Sequence, residues 1–204
     1  MKNRLIVFID GFNLYHALDN NPLYWKYKWL DFSHLIKIVT PKTYNIQDIL
    51  YFTSLMKWLP EKMARHQLFI KAVELKGVKT IYGEFKLRDR LCPKCGNEYQ
   101  GHEEKQTDVN IAIQLFKLAV EDKYDVALIV SGDSDLIPSL KAVKATFPAK
   151  RIGVAIPIGR RADDLKNCAD FYMKLKEKHF RESQFPNEID IGDGQKLKRP
   201  AHWV

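Results

Sequence analysis

The chain has 204 residues, of which 46% are hydrophobic and 28% are charged. These values are ordinary for a globular protein, and the length suits one domain with a sizeable core. No apolar run approaches the roughly 18 residues that cross a bilayer, and the run near the N-terminus is too short for a signal peptide. We therefore expect a cytoplasmic protein without a membrane span.

Basic side chains outnumber acidic ones by 33 to 25, which gives a net charge of +8. The excess is uneven, because residues 141–180 hold ten basic and four acidic residues whereas residues 181–204 hold four of each. A basic surface favours a polyanion such as nucleic acid. A soluble basic protein without such a ligand is the alternative.

Hydrophobic patterns in the first half of the chain predict alternating strands and helices. Residues 5–9 (LIVFI) form a continuous apolar run, typical of a strand that is buried on both faces of a parallel sheet. The further predicted elements are helices at 14–18 and from Asp31 to Pro41, a strand at 46–53, a helix that opens at Pro60, and a strand at 78–87.

The second half continues the alternation. The predicted elements are an amphipathic helix at 109–120, a buried strand at 126–130, a helix through Leu140 and Val143, a buried strand at 152–156, and a short helix at 162–168. Such alternation predicts a doubly wound α/β fold with a mostly parallel sheet over residues 1–180. Residues 181–204 contain several glycines and prolines and few apolar residues, which predicts a flexible or surface-lying tail.

Aspartates follow the buried strands. Asp10 ends the first strand, Asp133 and Asp135 follow the strand at 126–130, and Asp108 starts the helix that leads into it. Ligands of open α/β sheets bind outside the carboxyl ends of the strands, so these four carboxylates are expected to converge. Clustered carboxylates repel one another without a cation, and oxygen ligands favour Mg²⁺ or Mn²⁺.

Each of these aspartates has a simpler interpretation as turn or N-cap chemistry. Asn13, three residues after Asp10, is expected either to contact a phosphate or metal-bound water or to cap the following helix. Ser131 is expected to hydrogen-bond a carboxylate or a phosphate, or only to form the turn.

Three stretches in this order resemble the NYN family of PIN-like nucleases. They are residues 6–14 (IVFIDGFNL), 104–112 (EKQTDVNIA) and 127–136 (ALIVSGDSDL). The resemblance implies a Rossmann-like three-layer α/β/α sandwich and metal-dependent RNA cleavage. By position, Asp10, Asp108, Asp133 and Asp135 match the metal-binding carboxylates, and Asn13 matches the asparagine of the first motif. Many relatives carry a further aspartate where this chain has Gln114, which leaves open whether one or two metal ions bind.

A second metal site is suggested by Cys92 and Cys95, within an insertion at about residues 88–103. The CxxC spacing followed by glycine is typical of half a zinc knuckle, and a structural zinc needs four ligands. His102 is the nearest further candidate, while Cys168, His179 or a partner chain are other sources. The alternative is a tight turn with free thiols.

Other side chains are candidates for contact with the substrate. Lys105, Arg160 and Arg161 are expected near the same sheet edge, where they would hold phosphates, or else in solvated loops. The aromatic residues at 24, 25, 27 and 29 can stack on bases of single-stranded RNA, although core packing is the favoured interpretation.

The leading hypothesis is an endoribonuclease that acts on RNA, with a homodimer as a possible assembly. The alternatives are an RNA-binding or regulatory module with a weakened site, to which Gln114 points, and a flap-type DNA nuclease. A haloacid-dehalogenase-type phosphatase needs a second aspartate two residues after Asp10, where this chain has Phe12.

Overall fold

Strands and helices alternate along residues 3–203, the part of the chain that the computed structural model describes. The strands are β1 (Asn3–Asp10), β2 (Tyr44–Thr53), β3 (Val78–Tyr82), β4 (Glu84–Leu91), β5 (Glu98–Lys105), β6 (Val126–Val130), β7 (Arg151–Ile156), β8 (Phe171–Lys174), β9 (Glu188–Gly192) and β10 (Gln195–Lys198). The α-helices are α1 (Gly11–Asp19), α2 (Phe32–Val39), α3 (Pro60–Glu74), α4 (Thr107–Val120), α5 (Ile137–Thr146), α6 (Asp163–Cys168) and α7 (Glu177–Glu182). Short 3₁₀ helices span Pro22–Tyr27, Ser134–Leu136 and Ala201–Trp203.

The central sheet has six parallel strands in the order β3-β2-β1-β6-β7-β8. The predicted α/β fold is therefore confirmed, with helices on both faces as in a Rossmann-like three-layer sandwich. The chain winds outward from β1 in one direction and from β6 in the other. The carboxyl ends of β1 and β6 consequently flank the crevice at which such sheets bind ligands.

Side chains of β1 alternate between two hydrophobic cores, one on each face of the sheet. Leu5, Val7 and Ile9 pack with α1, α2 and α3, whereas Ile6 and Phe8 pack with α4, α5 and α6. Both faces of this strand are covered, which explains its uninterrupted apolar sequence.

The segment between β3 and α4 forms an antiparallel hairpin, β4–β5, outside the central sheet. The strand predicted at 78–87 is thus divided at Gly83, and the insertion predicted at about 88–103 occupies 84–105. A Cβ atom at Gly83 would lie 2.7 Å from the carbonyl oxygen of Lys105 and 2.7 Å from Oγ of Ser54. Only glycine allows the two ends of the hairpin to approach the sheet so closely.

The C-terminal segment, for which the sequence predicts a flexible or surface-lying tail, forms regular structure in the described residues up to 203. The tail forms the β9–β10 hairpin, and Ile189 and Leu197 join the core on the α1–α3 side. Trp29 is fully buried, and its indole nitrogen donates a hydrogen bond to the carbonyl oxygen of Pro186 at 2.8 Å. The backbone N–H of Phe185 donates to the carbonyl oxygen of Trp29 at 3.0 Å. A few apolar residues and these bonds dock a segment whose composition is mostly polar.

Within residues 3–203, no helix combines the length and apolarity that a bilayer crossing requires.

Replacing Gly11 with alanine is expected to destabilise the fold. A Cβ atom there would lie 2.5 Å from the carbonyl oxygen of Phe52 and 2.6 Å from the ring of Tyr51, so α1 would have to move away from β2. We expect Gly11→Ala to lower the free energy of unfolding in urea by about 1–3 kcal/mol. Gly101→Ala is the control, because its nearest new neighbour is the flexible Arg90 side chain at 3.3 Å. Equal stability of the two variants would contradict the packing argument.

Candidate active site

The carboxylate of Asp10 lies at the carboxyl end of β1 and is only 3% exposed. Asp10 is also the N-cap of α1, because its Oδ1 accepts a hydrogen bond from the backbone N–H of Asn13 at 2.9 Å. Its Oδ2 accepts a hydrogen bond from the hydroxyl of Ser131 at 2.8 Å. One oxygen is therefore held by α1, the helix that follows β1, and the other by the residue that follows β6.

Two further aspartates approach Asp10. Asp133 follows β6, and Asp108 lies in the first turn of α4. One carboxylate oxygen from each of the three residues lies within 4.8 Å of the others. The backbone N–H of Asp133 donates to Oγ of Ser131 at 3.0 Å, so the same serine orients two of the three residues.

The three carboxylates repel one another. Burial, followed by the charges of Asp10 and Asp133, raises the pKa of Asp108 from its ordinary value to about 6. Burial also raises the pKa of Asp10, although the bonds from Asn13 and Ser131 oppose that shift. A cluster of hard oxygen donors that is costly to ionise alone fits a divalent cation such as Mg²⁺ or Mn²⁺.

Glu104 is a site residue to which the sequence analysis assigned no role. Its carboxylate accepts hydrogen bonds from the backbone N–H of Thr107 at 3.2 Å and from its hydroxyl, and from Oγ of Ser54 at 3.4 Å. Its charge also raises the pKa of Asp10 and of Asp108. The signal in the sequence is an acid three residues before the start of α4, but it becomes meaningful only with the hairpin in place.

The remaining motif residues surround this group. Asp135 is exposed and lies outside the group of three, and its backbone N–H donates to Oδ1 of Asp133 at 3.0 Å. Oδ1 of Asn13 accepts a hydrogen bond from the backbone N–H of Gly132 at 3.0 Å, which ties α1 to the loop after β6. Asn13 and Ser131 thus hold the site together, and a role in substrate binding stays a prediction.

The three basic candidates lie in different surroundings. Arg160 lies against the loop after β6, since a Cβ at Gly132 would be 3.0 Å from the Cβ of Arg160. Nε of Arg160 is buried and has no hydrogen-bond partner within residues 3–203. Lys105 instead pairs with Glu103 at 2.7 Å, and Arg161 is exposed, with its charge acting on Asp163 of α6.

The two cysteines lie in the turn beyond the last pair of the β4–β5 ladder. His102 is not beside them, because it pairs with Leu87 farther along the ladder and stacks on Trp58, with ring centroids 3.5 Å apart. The prediction that His102 joins Cys92 and Cys95 is therefore wrong.

The other two zinc candidates lie in helices. Cys168 ends α6, and Nδ1 of His179 accepts a hydrogen bond from the backbone N–H of Lys176 at 3.1 Å. In the described part of the chain, only the three aspartates form a group of three or more metal-ligating side chains.

The aromatic segment divides between core and surface. Tyr27 and Trp29 are buried, Tyr24 packs partly buried against the core, and Trp25 is 43% exposed. The favoured interpretation of core packing is thus confirmed for Tyr27 and Trp29.

Comparison with known proteins identifies the family. The NYN domain profile matches residues 4–176. The chain belongs to the NYN domain family. The NYN family is one of PIN-like nucleases, and the acidic group at the carboxyl edge of the sheet agrees with that membership.

Two individual proteins resemble this NYN chain. A crystal structure of a protein of unknown function from Vibrio parahaemolyticus shares the fold, with a TM-score of 0.60 and 15% identity over 86% of this chain and 94% of that one. A curated 6-hydroxy-3-succinoylpyridine 3-monooxygenase from Pseudomonas putida is 27% identical over 76% of this chain. The match spans 59% of that relative's length.

Asp108→Asn is expected to stabilise the metal-free protein. The folded carboxyl has a pKa of about 6, above its ordinary 3.8, so the folded state binds more protons than the unfolded state in this window. Stability from this group therefore falls as pH rises from about 4 to about 6 and stays lower above it. With EDTA at pH 7.5, we expect the variant to gain about 1 kcal/mol in urea unfolding, since partial exposure screens the effect.

The same series includes a pH 5 measurement, at which the gain should be smaller, and Asp193→Asn as a control remote from the cluster. Added Mn²⁺ should raise the melting temperature of the wild type and leave Asp108→Asn unchanged. A variant that is destabilised at pH 7.5 would contradict the repulsion argument.

Proposed function

We propose that this NYN protein is a divalent-metal-dependent nuclease that cleaves RNA. The observation that carries the proposal is the convergence of Asp10, Asp108 and Asp133 within 4.8 Å at the carboxyl ends of β1 and β6. Membership of the NYN family supports a phosphodiester substrate.

Asp10, Asp108 and Asp133 would hold the cation. When bound, a divalent ion would supply Lewis-acid stabilisation of the charge that develops on a phosphodiester during hydrolysis. Ser131 and Asn13 fix the carboxylate of Asp10, so the role of Asp10 is to position the cation. Asp108 is partly exposed, which suits it to contact the attacking water.

Arg160 is the basic side chain best placed to contact a phosphate. It lies against Gly132 at the edge of the site, and its guanidinium has an unsatisfied buried nitrogen. The excess of basic residues in 141–180 supports a polyanionic ligand. We propose RNA and not DNA as the substrate, because the resemblance to the NYN family implies RNA cleavage.

The test is cleavage of labelled single-stranded RNA and DNA with Mn²⁺, with Mg²⁺ and with EDTA. We expect RNA cleavage by the wild type with either metal and none with EDTA. Asp10→Asn and Asp133→Asn should each lower the rate by at least about a hundredfold. Asp193→Asn should cleave like the wild type.

The assay separates the alternatives. RNA binding without cleavage in either metal would overturn the proposal and favour a regulatory RNA-binding module. Cleavage of DNA but not of RNA would favour a flap-type DNA nuclease. Cleavage by Asp10→Asn at the wild-type rate would remove the acidic group from the mechanism.

A second candidate rests on the curated relative. That protein's name states an activity on a pyridine compound, and the match covers most of this chain at 27% identity. The second candidate is therefore a small-molecule enzyme that acts on an aromatic compound. Metal binding without RNA binding or cleavage would favour it.

We also propose that Cys92 and Cys95 supply half of a zinc site, completed by the same pair from a second copy of the chain. Backbone N–H groups of Lys94 and Cys95 donate to the Cys92 sulfur and lower the pKa of that thiol. The turn is closed by the N–H of Gly96, which donates to the carbonyl oxygen of Cys92 at 2.8 Å. This arrangement presents two sulfur ligands at the surface, and tetrahedral zinc needs four ligands.

The zinc proposal predicts a dimer that depends on the metal. We expect about one zinc ion per two chains by elemental analysis, and a dimer by sedimentation. Cys92→Ser and Cys95→Ser should lose both, whereas Cys168→Ser should keep both. A wild type that is monomeric and free of zinc after refolding with Zn²⁺ would contradict this assignment.

A further inference from the structure

A cavity of about 300 Å³ lies on the α1–α3 side of the sheet. Gly11 and Phe12 line it, so it begins next to Asp10, but the three clustered aspartates do not line it. The end of β2, α3 and the two 3₁₀ helices Pro22–Tyr27 and Ala201–Trp203 complete the wall. Small-molecule sites measure roughly 300–1,000 Å³, so this volume suits a single ring with a short substituent.

One wall of the cavity is an exposed but immobilised indole. Trp25 is 43% exposed, and its Nε1 donates to the carbonyl oxygen of Asp19 at 2.8 Å. Nζ of Lys28 lies 5.1 Å from the Trp25 ring and 5.0 Å from the Tyr15 ring, and it forms an ion pair with Asp19. An aromatic face that is held in place and left partly uncovered is suited to stacking on a planar ligand.

The rim of the cavity carries an excess of positive charge. Asp19 compensates Lys28, but Arg65 and Lys62 on α3 also line the cavity. Among the residues that the structure describes, Arg65 has a carboxylate contact only with Glu61, at 4.0 Å, and the Glu61 side chain is 93% exposed, so solvent weakens that pair. Lys62 has no ion pair within the described residues 3–203. Two cations next to an aromatic wall would favour a ligand that carries an acidic group.

The floor of the cavity is polar and neutral. Nε2 of His66 lies 3.2 Å from the hydroxyl of Tyr51 and 3.2 Å from that of Thr53. Burial lowers the pKa of His66 to about 4, so this imidazole is uncharged near neutral pH. Such a floor offers hydrogen bonds to a ring heteroatom or hydroxyl without adding charge.

We infer that this cavity binds a small planar aromatic acid, with its ring against Trp25 and its acidic group toward Arg65 and Lys62. The geometry assigns binding only and does not rest on the proposed nuclease function, because the cavity lining excludes the three aspartates. Two sources share this chemistry, namely a free aromatic carboxylic acid and a mononucleotide.

Calorimetric titration of the full chain at low salt tests the inference. The probes are pyridine-3-carboxylate, its neutral counterpart pyridine-3-carboxamide, and uridine 5′-monophosphate. We expect at least one acid to bind saturably, and the carboxylate, if it binds, to do so about tenfold more tightly than the amide. Saturable binding of the carboxylate alone identifies a free acid as the source, and binding of the nucleotide alone identifies a nucleotide.

Variants of α3 locate the binding. Lys62→Gln and Arg65→Gln should each weaken binding of the acid by about tenfold, while Lys71→Gln, an exposed position on the same helix outside the cavity, should not. Lys62 is exposed, so its variant is expected to keep the fold, which thermal unfolding checks. Asp10→Asn should bind the acid like the wild type, which separates this inference from the nuclease proposal.

Three results would overturn the inference: no saturable binding of either acid, equal binding of the carboxylate and the amide, or wild-type affinity in both Lys62→Gln and Arg65→Gln.

Discussion

Burial of the Asp10 carboxylate at the end of β1 is the constraint on which the rest of the site depends. A charge at 3% exposure needs partners, and it has them in the N–H of Asn13 and the hydroxyl of Ser131. Those bonds tie the start of α1 to the residue after β6, and the sheet winds in opposite directions from β1 and from β6. The same serine accepts the N–H of Asp133, so one hydroxyl couples the two central strands to the geometry of the acidic group.

Repulsion among the carboxylates lowers the stability of the metal-free protein, although the same carboxylates form the candidate metal site. Each acid that approaches Asp10 raises the free energy of the metal-free state, and Glu104 adds to that cost from the hairpin side. The two hydrophobic cores, one on each face of the sheet, offset this destabilisation, because the strands beneath the site are buried without interruption. The acidic group therefore lies at the ends of strands that are buried on both faces.

The parts of this structure that can be predicted from the sequence are those governed by local patterns. The runs at 5–9, 126–130 and 152–156 predict buried parallel strands, and the aspartates that follow them predict the edge at which the site lies. The β4–β5 hairpin is harder to predict, because β5 is mostly polar and the break at Gly83 depends on a close contact with Lys105. Docking of the tail depends on Trp29, more than 150 residues away in sequence. The residues that line the cavity are likewise scattered from α1 to the last 3₁₀ helix, so no local sequence pattern predicts the cavity.

The docked C-terminal segment has a consequence for how the chain folds as it is synthesised. Trp29 is covered by Phe185 and Pro186, which are synthesised more than 150 residues after it. Until then the nascent chain exposes the hydrophobic surface around Trp29, and the cavity lacks the wall that Trp203 provides. The surface around Trp29 therefore closes only when the C-terminal segment docks, and chaperones that hold apolar patches would act before that step.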